Sequence, residues 1–179
     1  LSWVLIDGGA LRAQTNGSPV SPDSTATNRA VELNPAERVE DTRIASINSR
    51  RRICGRIVQI LPDGLVVDSG YLSLLRPELG RYWLIRGNVV AKKTENLVEE
   101  NTPGAVCSGL VFIGDLPKRP KAKLYDYVVL QGYPVGTKTY LSLGTIQRTV
   151  RKYSAALVKA VDANLQLNDS ATTNSVMAK

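Results

Sequence analysis

The chain contains no histidine and only two cysteines, Cys54 and Cys107. Histidine is the usual general base near neutral pH and the commonest zinc ligand, so its absence excludes Ser-His and Cys-His nucleophile pairs and most zinc chemistry. The cysteines lack C-x-x-C spacing, which removes a cysteine metal centre within one chain. No Gly-rich phosphate loop ending in Gly-Lys-Ser/Thr is present, and Gly8-Gly9 and the Gly132/Gly136 pair read as turn glycines. No run approaches the ~18 apolar residues of a membrane span, so the expectation is that the protein is not integral to a membrane. Together these absences point to a non-enzymatic protein with no cofactor and no metal.

What is present is ordinary for a folded chain. Of 179 residues, 43% are hydrophobic and 22% charged, enough for one domain with flanking segments. Net charge is +7 with a pI near 9.6, which admits an anionic partner, although many exported and surface-associated proteins are basic without binding nucleic acid. Leu1 to Ile6 is apolar and Leu11-Arg12-Ala13 ends in a small residue, so residues 1–13 read as the remnant of an export signal. That reading places the protein in the periplasm or outside the cell; an ordinary terminal segment would leave it cytoplasmic. Residues 14–34 are dominated by Ser, Thr, Asn, Pro and Ala and read as a flexible linker.

Asn34-Pro35-Ala36-Glu37 combines an Asn cap, Pro at the first helical position and Glu three residues after the cap, starting an amphipathic helix over 35–48. From residue 50 to 155 the period changes. Ile53 to Leu61, Leu65 to Asp68, Tyr82 to Ala91, Ala105 to Ile113, Leu124 to Tyr133, Thr137 to Leu143 and Ile146 to Tyr153 are β-favouring runs broken by turn residues. Pro62-Asp63-Gly64, Pro134-Val135-Gly136 and Gly144-Thr145 supply the turns, with Gly64 expected at positive φ. The fold class is therefore mainly β: a small OB- or SH3-like barrel of about seven strands, with one helix before it and another over 156–167. Residues 168–179 read as a disordered tail.

The basic residues are concentrated in the second half. Lys118, Arg119, Lys121, Lys123, Arg148, Arg151 and Lys152 are interleaved with Tyr125 and Tyr127, as well as Tyr133 and Tyr140. Cations that neutralise phosphates beside rings that stack on bases make the pattern of a single-stranded nucleic-acid or other polyanion site. The competing reading buries the tyrosines and leaves the cations solvated. Arg50, Arg51, Arg52 and Arg56 form a second basic group. If the protein is exported, a Cys54–Cys107 disulfide would contribute ~4 kcal/mol. Asp63 to Asp68 resembles the Asp-Gly hairpin of micrococcal-nuclease-type barrels. Leu65 follows Gly64, however, and no nearby acid completes a calcium set, so Asp63 is assigned to its turn.

A wider resemblance rests on Asp63-Gly64-Leu65-Val66-Val67-Asp68-Ser69-Gly70, on Lys123 through Pro134 (KLYDYVVLQGYP) and on Arg148 through Tyr153 (RTVRKY). Over about residues 50–155 the chain resembles a loose group of uncharacterised, predicted-exported bacterial proteins. These are built from a short signal, a helical linker and one small β domain. The resemblance implies export and carries no activity. The expectation is thus a small exported β-barrel protein with a structural or binding role at the cell envelope. The alternative is an OB-like module binding single-stranded nucleic acid or another polyanion.

Overall fold

A computed structural model of the chain describes residues 34–76, 82–86, 89–116 and 121–177. The expected export remnant, the linker up to residue 33, and Lys118 and Arg119 lie outside these residues. Helix α1 occupies Pro35–Asn48. Its first turn is closed reciprocally: the Asn34 side chain accepts from the Ala36 N–H at 3.2 Å, and the Glu37 carboxylate accepts from the Asn34 N–H at 3.2 Å.

Six strands follow, β1 (Arg51–Leu61), β2 (Gly64–Ser69), β3 (Tyr82–Ile85), β4 (Gly109–Gly114), β5 (Tyr127–Ser142) and β6 (Ile146–Ser154), and then helix α2 (Leu157–Met177). The chain is mainly β, with the strands in one sheet ordered β1-β2-β4-β6-β5-β3. β1 has two partners. Its second half, from Gly55, pairs with β2, and its first half, to Arg56, pairs with β5. The pairings β1–β2, β2–β4, β4–β6, β6–β5 and β5–β1 therefore return to their start, and β4–β6 is the parallel one. β3 lies outside this circuit, paired to the beginning of β5.

Alternation along the strands sorts the side chains. One face gathers Ile53, Ile57, Leu65, Val67, Val111, Ile113, Val128, Leu130, Cys107 and Tyr153 into the main buried cluster. Burying each large aliphatic here stabilises by roughly 1.5–3 kcal/mol, against about 0–1 for an exposed ion pair, so this cluster rather than surface charge holds the fold. Cys54, Tyr71, Leu74, Tyr127 and Val129 form a second cluster on the opposite side of β1 and β5. β3 and the one-turn 3-10 segment Leu72–Leu74 contribute to it.

Four expectations change. The seven strands become six, because Leu124 to Tyr133 and Thr137 to Leu143 merge into β5. Pro134-Val135-Gly136 is not a turn but a register shift inside that strand, with Gly136 at φ 92°. Gly64 begins β2 without a positive φ. What requires glycine there is space, since a Cβ would stand 2.0 Å from the Ile113 carbonyl oxygen. The tail expected from 168 continues α2 to Met177, although Ser, Thr and Asn are weak helix formers. Arg38 of α1 pairs with Asp169, and Asn164 donates to Ser46 Oγ at 3.1 Å and to the Pro134 carbonyl at 3.2 Å. Finally, Cys54 and Cys107 are free buried thiols in separate clusters, because Ile53 and Cys54 are adjacent on β1 and face opposite ways.

Candidate functional site

Cross-strand partners share a face, so the register identifies the side of the sheet turned away from the main cluster. One row runs Gln59, Val66, Phe112 and Lys152 across β1, β2, β4 and β6. A second runs Arg56, Asp68 and Leu110. On the β5–β6 hairpin, Lys138 opposes Val150 and Tyr140 opposes Arg148. Tyr140, Val66 and Phe112 are buried together, with Leu61, Leu110 and Val150 against them. The hairpin arm thus folds back over β2 and β4, and the Gln59 amide pins it by donating to the Leu141 carbonyl at 2.9 Å.

Between the arm and the sheet lies a groove of about 520 Å³, lined by Gln59, Asp68, Lys93, Leu110, Tyr140 and Arg148 among others. Its charges are partly matched. Lys93 pairs with Asp68 at 2.6 Å, and Lys138 pairs with Asp63 at 2.5 Å while standing 5.3 Å from the Phe112 ring centre. The Lys138 hydrogen bond holds the Asp63 carboxyl below the usual carboxylate range. Arg148, and Lys152 on the same face, have no ion pair among the described residues. The face is left with a surplus of positive charge over an apolar floor.

The residues expected from sequence separate here. Arg148 and Lys152 stand on the groove face. Arg151 points the other way: it pairs with Glu99 and donates to the Ser108 carbonyl at 2.5 Å, while Arg51 Nε lies 3.4 Å from the other Glu99 oxygen. These three residues fasten the loop around Glu99 to the sheet. Tyr127 is buried edge-on to Tyr71, with centroids 5.4 Å apart at 68°. Tyr125 is 58% exposed, but the Arg56 guanidinium already covers its ring at 4.4 Å. Lys121 and Lys123 are exposed ahead of β5, and the Lys123 N–H donates to Asp126 at 2.9 Å. Among the described side chains no tyrosine is therefore left as an open stacking platform on the groove. Gln59, Asp68, Lys93 and Leu110 escaped the sequence reading. Strand alternation could have turned Gln59 and Asp68 outward, but nothing local brings Lys93 to Asp68 across 25 positions.

The thiols belong to the core. Burial pushes Cys54 up to about 12 and raises Cys107, whose thiol donates to the Tyr153 hydroxyl at 3.4 Å. Among the described residues there is no group of three or more His, Cys, Asp or Glu side chains that would hold a metal ion. Among them, too, no helix is long and apolar enough to cross a membrane. No family model, no curated protein and no solved structure matches the chain.

Proposed function

We propose that the five-strand circuit is an OB-like barrel and that the protein is a non-enzymatic binding module for an extended polyanion. Single-stranded nucleic acid is the first candidate ligand, and the groove under the β5–β6 arm is its site. The observation that carries this is the strand order. Omitting β3, the circuit reads first, second, third, fifth, fourth and back to first, with third and fifth parallel. In OB-type barrels the face of the second and third strands, flanked by the 1–2 and 4–5 turns, receives oligonucleotides or oligosaccharides. The groove supports this reading at one end of that face, where Ser142 and Leu143 bring the 4–5 turn into its lining, and its positive surplus favours an anionic polymer over a neutral one. The expected envelope location rests on residues 1–13 and leaves the same groove facing a different polyanion.

Tyr140 is only 8% exposed, so phosphate contact rather than stacking supplies the affinity. Among the described cations of this face, Arg148 and Lys152 neither form an ion pair nor cover a ring, and two such contacts give a slope of log K on log salt of about −1.4 for a single strand. The test is fluorescence anisotropy of a labelled oligothymidylate across a salt series. Binding should weaken with that slope, and R148A/K152A should bring the slope close to zero. Absence of binding at low salt refutes the proposal. Equal affinity for a sulfated oligosaccharide of the same charge generalises the ligand to polyanions.

A further inference from the structure

A second polar pocket, of about 400 Å³, lies at the other end of the sheet. Arg52 and Gln131 are cross-strand partners on β1 and β5, and the same register places Arg50 opposite Tyr133. All four side chains line the pocket, which is walled by Gly104 on one side and by Leu157, the first residue of α2, on another. The walls are fixed in place. Gly104 N–H donates to the Arg50 carbonyl at 2.9 Å, Arg52 N–H donates to the Ala105 carbonyl at 2.9 Å, and Asn164 ties α2 to α1 and β5.

The simplest structural task for an arginine here would be to neutralise the carbonyl end of α1. Other groups already do this. Arg51 donates to the Ser49 and Arg50 carbonyls at 3.0 Å, and Ser49 donates to Ala45 and Ser46. Among the described residues neither Arg50 nor Arg52 has an ion pair. Two guanidinium groups two residues apart on one face repel each other, and an anion shared between them removes that cost. The amino-terminal end of the long helix α2 adds positive potential, and Gln131 and Tyr133 supply neutral donors.

We propose that this pocket is a small-anion site that takes a phosphoryl oxyanion between Arg50 and Arg52. It is separate from the groove: Arg52 and Gln59 stand seven positions apart on β1, about 23 Å of extended chain. The phosphoryl group belongs either to a free phosphate compound or to the 5′ end of a phosphorylated strand.

The first measurement is isothermal titration of the full chain with pyrophosphate at constant ionic strength. Saturable binding is expected, weakened about tenfold or more in R50A/R52A, as loss of charge-assisted hydrogen bonds requires. The charge-matched control R43A/K92A should bind as the unaltered protein does. Unchanged affinity in R50A/R52A, an equal loss in the control, or no binding by the unaltered protein at millimolar pyrophosphate overturns the site. Should R50A/R52A fail to fold by circular dichroism, R50K/R52K tests the same point. It keeps the charge but not the bidentate fork, and should still bind several-fold more weakly. A 5′-phosphorylated oligonucleotide that binds more tightly than its 5′-hydroxyl twin, with the difference lost in R50A/R52A, makes a strand terminus the source. No difference, with pyrophosphate binding intact, makes it a free phosphate compound.

Discussion

Gly55 is where β1 exchanges partners, pairing with Ser69 of β2 on one edge and with Val128 of β5 on the other. A Cβ built there would stand 2.1 Å from the Asp68 carbonyl oxygen and 2.7 Å from both the Asp68 carbonyl carbon and Ser69 Cα. All three are backbone atoms, so no side chain can swing aside. Gly55→Ala must push β2 away by about an ångström. The overpacking costs roughly 1–3 kcal/mol and each ladder hydrogen bond lost about 1 more. Breaking two such bonds brings the total to about 3–5 kcal/mol, a large part of the ~5–15 kcal/mol available to a domain. Urea unfolding followed by tryptophan fluorescence should show the midpoint falling with the slope unchanged, and the melting temperature should drop by about 10 °C. Gly144→Ala is the matching comparison, because that residue has φ 77° but nothing within 4 Å of the added carbon. Backbone strain alone should cost it about 1–2 kcal/mol. If Gly55→Ala loses less than its Gly144 counterpart, β1 does not bridge β2 and β5 in the way described.

Phe112, 1% exposed beneath the β5–β6 arm, should cost about 3–5 kcal/mol when replaced by alanine. A loss under 1 kcal/mol by urea unfolding would mean that the arm does not pack on it. The Asp63–Lys138 pair predicts a small acid sensitivity. Because the folded-state pKa of Asp63 is lowered, its contribution is complete above the unfolded value and disappears as pH falls through the folded one. With Asp63 half exposed the effect stays under about 1 kcal/mol. K138M should diminish it in melts between pH 2 and 6, leaving what Lys152 and the backbone hydrogen bond contribute, and an undiminished acid dependence in K138M would count against the pair. At pH 8 a thiol raised to about 12 is thiolate only about once in 10,000, so iodoacetamide should label Cys54 only after unfolding. Rapid labelling of the native protein would contradict its burial.

The chemistry of local structure was readable in the residues themselves. Asn34-Pro35-Ala36-Glu37 determines a helix start because cap, ring constraint and returning carboxylate act within four residues. The β-branched runs determine extended chain, and Leu61-Pro62-Asp63-Gly64 a tight hairpin. The absence of histidine narrowed the chemistry before any fold was known. Non-local contacts decided the rest. Pro134 and Gly136 are turn residues by composition, yet β6 holds them in strand, since Pro134 pairs with Tyr153 across the sheet. α2 runs past residue 167 into Ser, Thr and Asn, weak helix formers, and there Arg38 of α1 pairs with Asp169.

The same division runs through the candidate sites. Sequence determined that the chain is basic and that its cations lie near tyrosines. It did not determine the side to which any of them turns, because that depends on register, and register is set by which strand lies opposite. Arg148 lines the groove and Lys152 shares its face, and Arg151 between them turns away to Glu99. Tyr127 faces a buried cluster and Tyr125 lies under Arg56. Arg50 and Arg52 share a pocket because β5 presents Gln131 and Tyr133 opposite them. The amino acids alone determined the charge, the turns and the absence of histidine chemistry. The tertiary structure decided which charges are free, since an ion pair requires partners brought together from distant parts of the chain.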